Sequence, residues 1–222
     1  MTIGLAALRR WFGSASDSGS SGATGRWIVV DTETSGLDPE RDRLLAIGAV
    51  AVDDEGIRLG DSFETVLKAE RAGDVDNILV HGIGHGAVAA GTPAAEALAA
   101  FGAWAAGAPR AGFHSDFDRR VLRNACGAAG IPGDDRPWLD LAPLAAALAP
   151  EVHRRGGRSL DDWLAAFGIE CTIRHNAASD ALATAELLLR LRAIAARQGT
   201  FGFAALLKAA RQSRWLGSAE GG

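Results

Sequence analysis

Cysteine is scarce in this chain of 222 residues. Its two cysteines, Cys126 and Cys171, do not have the spacing of a zinc site. Two cysteines also cannot form the dense disulfide framework of a small secreted protein. We therefore expect free thiols and a chain that works in a reducing compartment.

Long apolar runs are absent too. No run approaches the roughly 18 residues that a membrane-spanning helix needs. The opening stretch MTIGLAALRRWF has no basic residue ahead of its short apolar run, unlike a secretory signal. These absences argue against a membrane protein and predict a cytoplasmic one.

The chain has no excess of basic residues. Its 23 Lys and Arg residues stand against 27 Asp and Glu residues, which gives a formal charge of −4. A domain that attracts a polyanion by its overall field usually has a pI above about 9. Any nucleic-acid partner would therefore be held by local basic clusters or through metal ions.

Composition divides the chain into three parts. Residues 13–25 are rich in Gly and Ser, as in a flexible linker. Ahead of them, apolar residues at helical spacing over 2–12 predict an amphipathic helix that docks on a partner or on the domain itself. We expect an N-terminal segment and linker over 1–25, one domain over 26–200, and a C-terminal helix and tail over 201–222.

Hydrophobic patterning predicts an antiparallel meander followed by alternating helices and short strands. This order is typical of an α/β protein with a mixed five-stranded sheet flanked by helices. The predicted strands are 26–31, 44–52, 57–67, 109–115 and 137–140. The predicted helices are 94–106, 116–129, 141–148, 159–167, 177–196 and 202–213.

Two carboxylates follow the first apolar strand, in VVDTETSGLD at 29–38. Asp31 and Glu33 are two residues apart, so they project from the same face of a strand and can share one ion. The D-x-E spacing is common by chance and recurs at Asp38/Glu40 and Asp53/Glu55. Only Asp31 follows an apolar strand and leads into Thr-Ser-Gly, a tight turn that brings backbone close to a ligand.

Two further motifs carry acids at the start of predicted helices. The stretch HNAASDA at 175–181 fits H-x-A-x-x-D, with His175 and Asp180 at the mouth of the long helix. The stretch FHSDFDRRVL at 113–122 places Asp118 in the first turn of another helix. Taken alone, Asp118 has a simpler explanation, because Ser115-x-x-Asp118 is a capping-box pattern. Asp180 could likewise only complement the helix dipole.

Together the three motifs resemble those of the DEDDh 3′→5′ exonuclease family, which includes the proofreading epsilon subunit of bacterial DNA polymerase III. The resemblance covers about residues 26–196. It implies a ribonuclease H-like fold in which Asp31, Glu33, Asp118 and Asp180 hold two Mg²⁺ or Mn²⁺ ions. The implied reaction is two-metal hydrolysis of a phosphodiester at a 3′ end, which releases a nucleoside 5′-monophosphate. His175 would accept the proton of the attacking water.

The resemblance also implies residues that contact the terminal nucleotide. VHGIGHG at 80–86 is similar to a family segment with this role, although Gly84 stands where a Thr or Ser that could cap the next helix is usual. The expected contacts are Thr34, Gly36, Leu37, His81 and Phe117. Phosphates near the site could meet Arg154, Arg155, Arg158 and Arg174, although a solvated surface explains most of these equally well.

Substrate and partners stay open at this stage. We expect single-stranded or frayed DNA 3′ ends, and RNA is the alternative because ribonuclease T and oligoribonuclease resemble the same motifs. A non-catalytic nucleic-acid-binding or polymerase-associated module is a second alternative. QSRWL at 212–216 is faintly similar to sliding-clamp-binding peptides, but a helix end that packs Trp215 explains it as well. A stand-alone enzyme and a polymerase subunit are equally compatible with the sequence.

Overall fold

A computed structural model of the chain describes residues 25–69 and 82–219. The helix predicted over 2–12, nearly all of the Gly/Ser-rich linker, and His81 lie outside the described residues. Within the described ranges, no helix has the length and apolar character needed to cross a membrane.

Five strands form one sheet in the order β3-β2-β1-β4-β5. The first three pair antiparallel, whereas β4 runs parallel to β1 and β5 runs parallel to β4. This mixed sheet confirms the predicted fold class. The strands are β1 Trp27–Thr34, β2 Leu44–Val52, β3 Ile57–Val66, β4 Arg110–Gly112 and β5 Trp138–Asp140.

Eight helices are present in the described residues, and six of them begin within one residue of a predicted start. The other two, α1 and α5, have five residues each, which is too short to show a helical period. The helices are α1 His85–Ala89, α2 Ala94–Ala105, α3 Asp116–Ala128, α4 Leu141–Leu148, α5 Pro150–Arg154, α6 Leu160–Phe167, α7 Ala177–Arg197 and α8 Gly202–Ala219.

The fourth predicted strand is shorter than expected. The pattern over 109–115 is apolar enough for a strand, but β4 ends at Gly112. His114 then adopts a left-handed backbone with φ 53°, which turns the chain directly into α3. The turn brings the start of α3 close to the end of β1.

The sheet separates two apolar cores, and β1 alternates between them. Val29 packs in the core under α4, α6, α7 and α8, whereas Ile28 and Val30 pack on the opposite face against α2 and α3. Because successive strand residues point to opposite faces, Asp31 and Glu33 continue the α7 side of β1, and Thr32 continues the α3 side. The alternation therefore decides which helix each polar residue at the end of β1 meets.

Helix α8 belongs to the core on the α7 side. Leu206 and Ala210 are buried there, and the rings of Phe203 and Trp27 meet edge to face at 5.4 Å between centroids. The segment from residue 201 onward thus contributes apolar side chains to the same core as β1. Helix α8 continues through QSRWL at 212–216, beyond the predicted end at 213.

Candidate active site

The amino terminus of α7 reaches the end of β1 by crossing β2 at a glycine. Gly48 of β2 pairs with Asp31 of β1, and a Cβ at Gly48 would lie 2.1 Å from the carbonyl carbon of Ala177. No real Cβ tolerates that distance, so only glycine lets the first turn of α7 lie directly on the sheet. The crossing brings Asp180, in that first turn, beside the carboxylates of β1.

Three carboxylates converge at this crossing. Asp31, Glu33 and Asp180 each offer one oxygen, and these oxygens lie within 4.8 Å of one another. In the described part of the chain, they form the one group of three or more His, Cys, Asp or Glu residues with this spacing. Clustered carboxylate oxygens are the ligands that hard divalent cations such as Mg²⁺ and Mn²⁺ prefer. The acidic donor set therefore fits such an ion.

Asp118 approaches from the other face of the sheet. Its Oδ1 accepts a 2.7 Å hydrogen bond from the Thr32 hydroxyl, on the α3 side of β1, and the Asp118 side chain is buried. Asp118 is therefore not one of the three clustered acids, although its charge is felt at both Asp31 and Glu33. The sequence motifs thus bring four acids to the end of β1, three on one face and the fourth from the opposite side.

The capping-box explanation for Asp118 does not hold. Ser115 is the residue before α3, but its side chain makes no capping hydrogen bond. The Asp118 carboxylate faces Thr32 and accepts a hydrogen bond from its hydroxyl. The acid is directed toward the sheet rather than back onto the cap.

Three of the four acids at the end of β1, namely Asp31, Glu33 and Asp118, have raised pKa values. Burial raises the pKa of Asp31 well above its ordinary value, and the charges of Asp118, Glu33 and Asp180 raise it further. Burial, followed by the charges of Asp180 and Asp118, raises the pKa of Glu33 to about 7. Burial also raises the pKa of Asp118 to about 7, against the lowering effect of the Thr32 hydrogen bond. Gathered acids of this kind repel one another and gain stability from a cation placed among them.

Asp180 is held by three donors around its carboxylate. The guanidinium Nη1 of Arg174 and the Sγ of Cys171, at 3.3 Å, donate to Oδ1. The backbone N–H of His175 donates to Oδ2 at 2.9 Å. The sequence offered a phosphate contact as one role for Arg174 and did not associate Cys171 with the site. The only signal was their position just before HNAASDA.

His175 stands at the mouth of the site with an exposed side chain. Its backbone is left-handed, with φ 59°, an uncommon conformation for a residue other than glycine. This conformation coincides with the bond from its N–H to Asp180, while the next residue, Asn176, caps α7 by accepting from the Ser179 N–H at 3.0 Å. The motif therefore ties His175 and Asp180 together through the backbone.

The end of β1 and the loop after it hold three of the residues expected to touch a substrate. The Thr34 hydroxyl donates to the Gly36 carbonyl at 2.6 Å, which closes the turn after the strand. Leu37 follows with 91% of its surface exposed. The Asp42 carboxylate accepts from the Asp38 N–H at 2.8 Å and shapes the rest of the loop. These hydrogen bonds shape the loop, and Leu37 is exposed to solvent at its surface.

The same loop is fastened to the helix that carries Asp118. The Glu40 carboxylate accepts from the Arg120 guanidinium at 2.7 Å and from the Asn124 amide at 3.1 Å.

Phe117, also expected to contact a substrate, is partly buried and packs against the core on the α3 side. Helix α1 begins after Gly84 without a side-chain cap, as expected from a glycine at a position where Thr or Ser is usual.

Two of the four candidate phosphate-binding arginines have local partners. Arg174 bonds to Asp161 and Asp180. Arg158 donates to the carbonyl oxygen of His153 at 2.8 Å. Arg154 ends α5, and Arg155 follows it, and both are exposed. Of the four, Arg174 lies at the acid cluster.

Comparison with known proteins gives one family and a consistent set of folds. The model of the family described as Exonuclease matches residues 28–188. The DNA polymerase III subunit epsilon-like protein of Rhodobacter capsulatus is 32% identical over 189 residues, which cover 84% of this chain and 26% of that protein. This chain thus spans about a quarter of the length of that relative.

Solved structures share the fold at low sequence identity. E. coli exonuclease I in complex with a dT13 oligonucleotide matches with a TM-score of 0.64 and 21% identity, over 78% of this chain and 42% of that chain. The nuclease domain of 3'hExo, described as a DEDDh family member bound to rAMP, matches with a TM-score of 0.64 and 16% identity, over 78% of this chain and 94% of that chain. At these identities the likeness shows the fold alone.

Proposed function

The chain belongs to the exonuclease family, and on that basis we propose that it is a metal-dependent 3′→5′ exonuclease that releases nucleoside 5′-monophosphates from DNA 3′ ends. Membership confirms the family resemblance inferred from the three motifs. The observation that carries the proposal is the convergence of Asp31, Glu33 and Asp180, with oxygens within 4.8 Å, beside Asp118. The direction of digestion and the substrate are parts of the proposal.

Divalent cations fit this donor set. Asp31, Glu33 and Asp180 would hold one ion, and Asp118 would complete the set of four acids expected to hold two. The raised pKa values of Asp31, Glu33 and Asp118 support the assignment, because a cation bound nearby would stabilise the charged form of these buried carboxylates. Bound Mg²⁺ or Mn²⁺ would lower the pKa of a water molecule and stabilise the leaving oxygen of the phosphodiester.

The remaining roles fall to residues around the acids. His175, exposed at the mouth of the site, would accept the proton of the attacking water. Thr34, Gly36 and Leu37 would contact the terminal nucleotide from the end of β1 and the loop that follows it. His81 and Phe117 complete the proposed set of substrate contacts.

DNA is the preferred substrate in this proposal, and RNA is the alternative. The name of the Rhodobacter capsulatus relative and the oligonucleotide bound to E. coli exonuclease I support DNA. The rAMP bound to 3'hExo supports RNA. A polymerase or sliding-clamp partner, and a role in proofreading or repair, rest on the relative's name and on QSRWL alone.

One degradation experiment tests the activity and its substrate together. DNA and RNA oligomers of the same sequence, labelled at the 5′ end, are incubated with the protein in Mg²⁺, Mn²⁺, Ca²⁺ or EDTA. We expect a ladder that shortens from the 3′ end on DNA with Mg²⁺ or Mn²⁺, and no cleavage in EDTA. Asp31→Asn, purified in parallel, controls for contaminating nuclease.

Calcium gives a sharper test of the metal assignment. Ca²⁺ accepts looser and more numerous oxygen ligands than Mg²⁺, so it should occupy the acids yet hold water and phosphate poorly for attack. We expect DNA to bind in Ca²⁺ and to stay uncut. Efficient cleavage in Ca²⁺ alone would contradict the assignment. Faster degradation of RNA than DNA would favour the RNA alternative, and no cleavage under any metal would favour a non-catalytic module.

A further inference from the structure

Arg174 lies between an acid of the cluster and an acid outside it. Its Nη1 donates to the Oδ1 of Asp180, while its Nε donates to the Oδ1 of Asp161 at 2.5 Å. The Arg174 side chain is 27% exposed, whereas that of Asp161, on α6, is 61% exposed. One guanidinium thus joins the surface of α6 to the cluster at the first turn of α7.

The Asp180 carboxylate has little capacity left for another partner. An ionised carboxylate has about four positions at which it can accept a hydrogen bond or a cation. Arg174 and Cys171 take positions on Oδ1, and the His175 N–H takes one on Oδ2. A cation shared with Asp31 and Glu33 must use the last position or displace one of these donors.

The charge of Arg174 also reaches the two other acids of the cluster. It lowers the pKa of both Asp31 and Glu33, opposing the larger effects that raise them. A positive charge that stabilises these carboxylates repels a divalent cation among them, because both compete for the same negative potential. The backbone donor at His175 and the thiol of Cys171 carry no such charge.

We infer that Arg174 competes with the divalent cation for Asp180 and sets the cation affinity of the site, with Asp161 drawing the guanidinium partly away. This inference rests on the proposed function, because it takes the three acids as cation ligands. The positive charge of Arg174 partly offsets the repulsion among the three acids and holds them together when no cation is bound. A bound cation would displace the Arg174 guanidinium from Asp180, or it would bind less tightly because the nearby guanidinium repels it.

Calorimetric titration of the full chain with Mn²⁺, without nucleic acid, measures the effect directly. Arg174→Gln should tighten Mn²⁺ binding on the order of tenfold, and Arg174→Lys, which keeps the charge, should tighten it less. Arg197→Gln removes an exposed arginine at the far end of α7 that makes no side-chain ion pair within the described residues, and it should leave the affinity within about twofold of wild type. An Arg174→Gln affinity within twofold of wild type, or an equal gain from Arg197→Gln, would overturn the inference.

Asp161 supplies a second test that does not depend on Arg174 variants folding well. Asp161→Asn, at an exposed position, should weaken Mn²⁺ binding by roughly threefold, because the guanidinium then has Asp180 as its one acidic partner among the residues described. In the Arg174→Gln background the same substitution should change the affinity less than twofold. Equal effects in both backgrounds, or tighter binding by Asp161→Asn alone, would show that Asp161 does not act through Arg174.

The proposed metal site and the role of Arg174 can fail separately. If wild type binds Mn²⁺ and Asp31→Asn abolishes binding, the metal assignment stands whatever Arg174→Gln does. If wild type does not bind Mn²⁺, both the metal assignment and the inference are overturned. Thermal unfolding adds a check, because Arg174→Gln should melt below wild type in EDTA and gain more from saturating Mn²⁺ than wild type gains.

Discussion

Asp31 on β1 lies opposite Gly48 on β2 in the antiparallel pair, on the face of the sheet that α7 covers. Because Gly48 has no side chain, the backbone of Ala177 rests directly on the strand. This close approach sets the distance between the acids of β1 and Asp180 in α7. The cluster therefore depends on a residue that has no chemical function of its own.

Gly48→Ala should disrupt both packing and activity. The added methyl group would meet the Ala177 backbone at 2.1 Å, so α7 must shift. Overpacking of this kind costs about 1–3 kcal/mol, and a displacement of about 1 Å can lower a rate by about 10²-fold. Denaturant unfolding and exonuclease rates measure the two effects.

Gly102→Ala is the matched control for that variant. Gly102 lies inside α2, and a Cβ there meets nothing within 4 Å. The substitution should keep full activity and stabilise the protein by about 0.5–1 kcal/mol, as alanine does in helix interiors. A Gly48→Ala enzyme as active and as stable as Gly102→Ala would contradict the role given to the glycine crossing.

Asp31→Asn should abolish nuclease activity while raising stability in EDTA. Burial and three neighbouring acids disfavour the charge at Asp31, so a neutral amide relieves repulsion worth about 1 kcal/mol or more. Asp180→Asn should also be inactive but should gain less, because Asp180 accepts charged and backbone donors from Arg174 and His175. Melting curves in EDTA distinguish the two, and wild-type turnover in either variant would refute the site.

Stability without divalent metal should fall as pH rises from about 4 to about 7. The folded-state pKa values of Glu33 and Asp118 are raised to about 7, and that of Asp31 is raised well above its ordinary value. Between those pH values the folded protein binds more protons than the unfolded chain, so the free energy of unfolding decreases with pH, and the contributions of Glu33 and Asp118 level off above about 7.

Saturating Mg²⁺ should reduce this loss, because the cation stabilises the charged carboxylates. The variant Asp31→Asn with Glu33→Gln should flatten the pH profile in EDTA. Denaturant unfolding in EDTA at pH 5 and pH 8 measures the difference. A wild-type protein that is more stable at pH 8 than at pH 5, with the double variant showing the same difference, would contradict the pKa shifts.

Thr32→Val should weaken the site through Asp118. The Thr32 hydroxyl donates to Asp118 Oδ1 at 2.7 Å in a buried contact, and valine keeps the shape of threonine without the donor. Loss of such a supporting hydrogen bond typically costs 10- to 100-fold in metal affinity or activity. Thr32→Ser keeps the hydroxyl and should stay within a few fold of wild type. Equal rates for the valine and serine variants would show that this bond does not orient Asp118.

His175→Asn should keep cation binding and lose most of the rate. Asparagine tolerates the left-handed backbone at this position and retains the N–H that donates to Asp180. The Mn²⁺ affinity should therefore stay within about twofold, whereas the rate at saturating metal should fall by roughly 10² to 10⁴, the usual effect of removing a general base. A rate within about threefold of wild type would rule out His175 as the base.

The sequence by itself was enough to identify the elements that carry the acids. Short apolar segments located each of the five strands of the sheet. The clearest are β1 and β2, because they are buried for most of their length and their side chains must therefore be apolar. The acids at 31, 33, 118 and 180 stood out because each follows a strand or opens a helix. Local spacing also coupled His175 to Asp180, since one short segment carries both.

Only the tertiary structure decided how those acids are grouped and held. Thr32 and Asp118 are 86 residues apart in the sequence, and the face of β1 on which each residue lies determines whether they meet. The pattern Ser115-x-x-Asp118 fits both a cap and a buried acid, and packing of α3 on β1 selected the second. The bond from Arg174 to Asp180 and the contact between Gly48 and Ala177 depend on where α7 crosses the sheet. Such crossings are fixed by side-chain packing between distant segments, which no local pattern encodes.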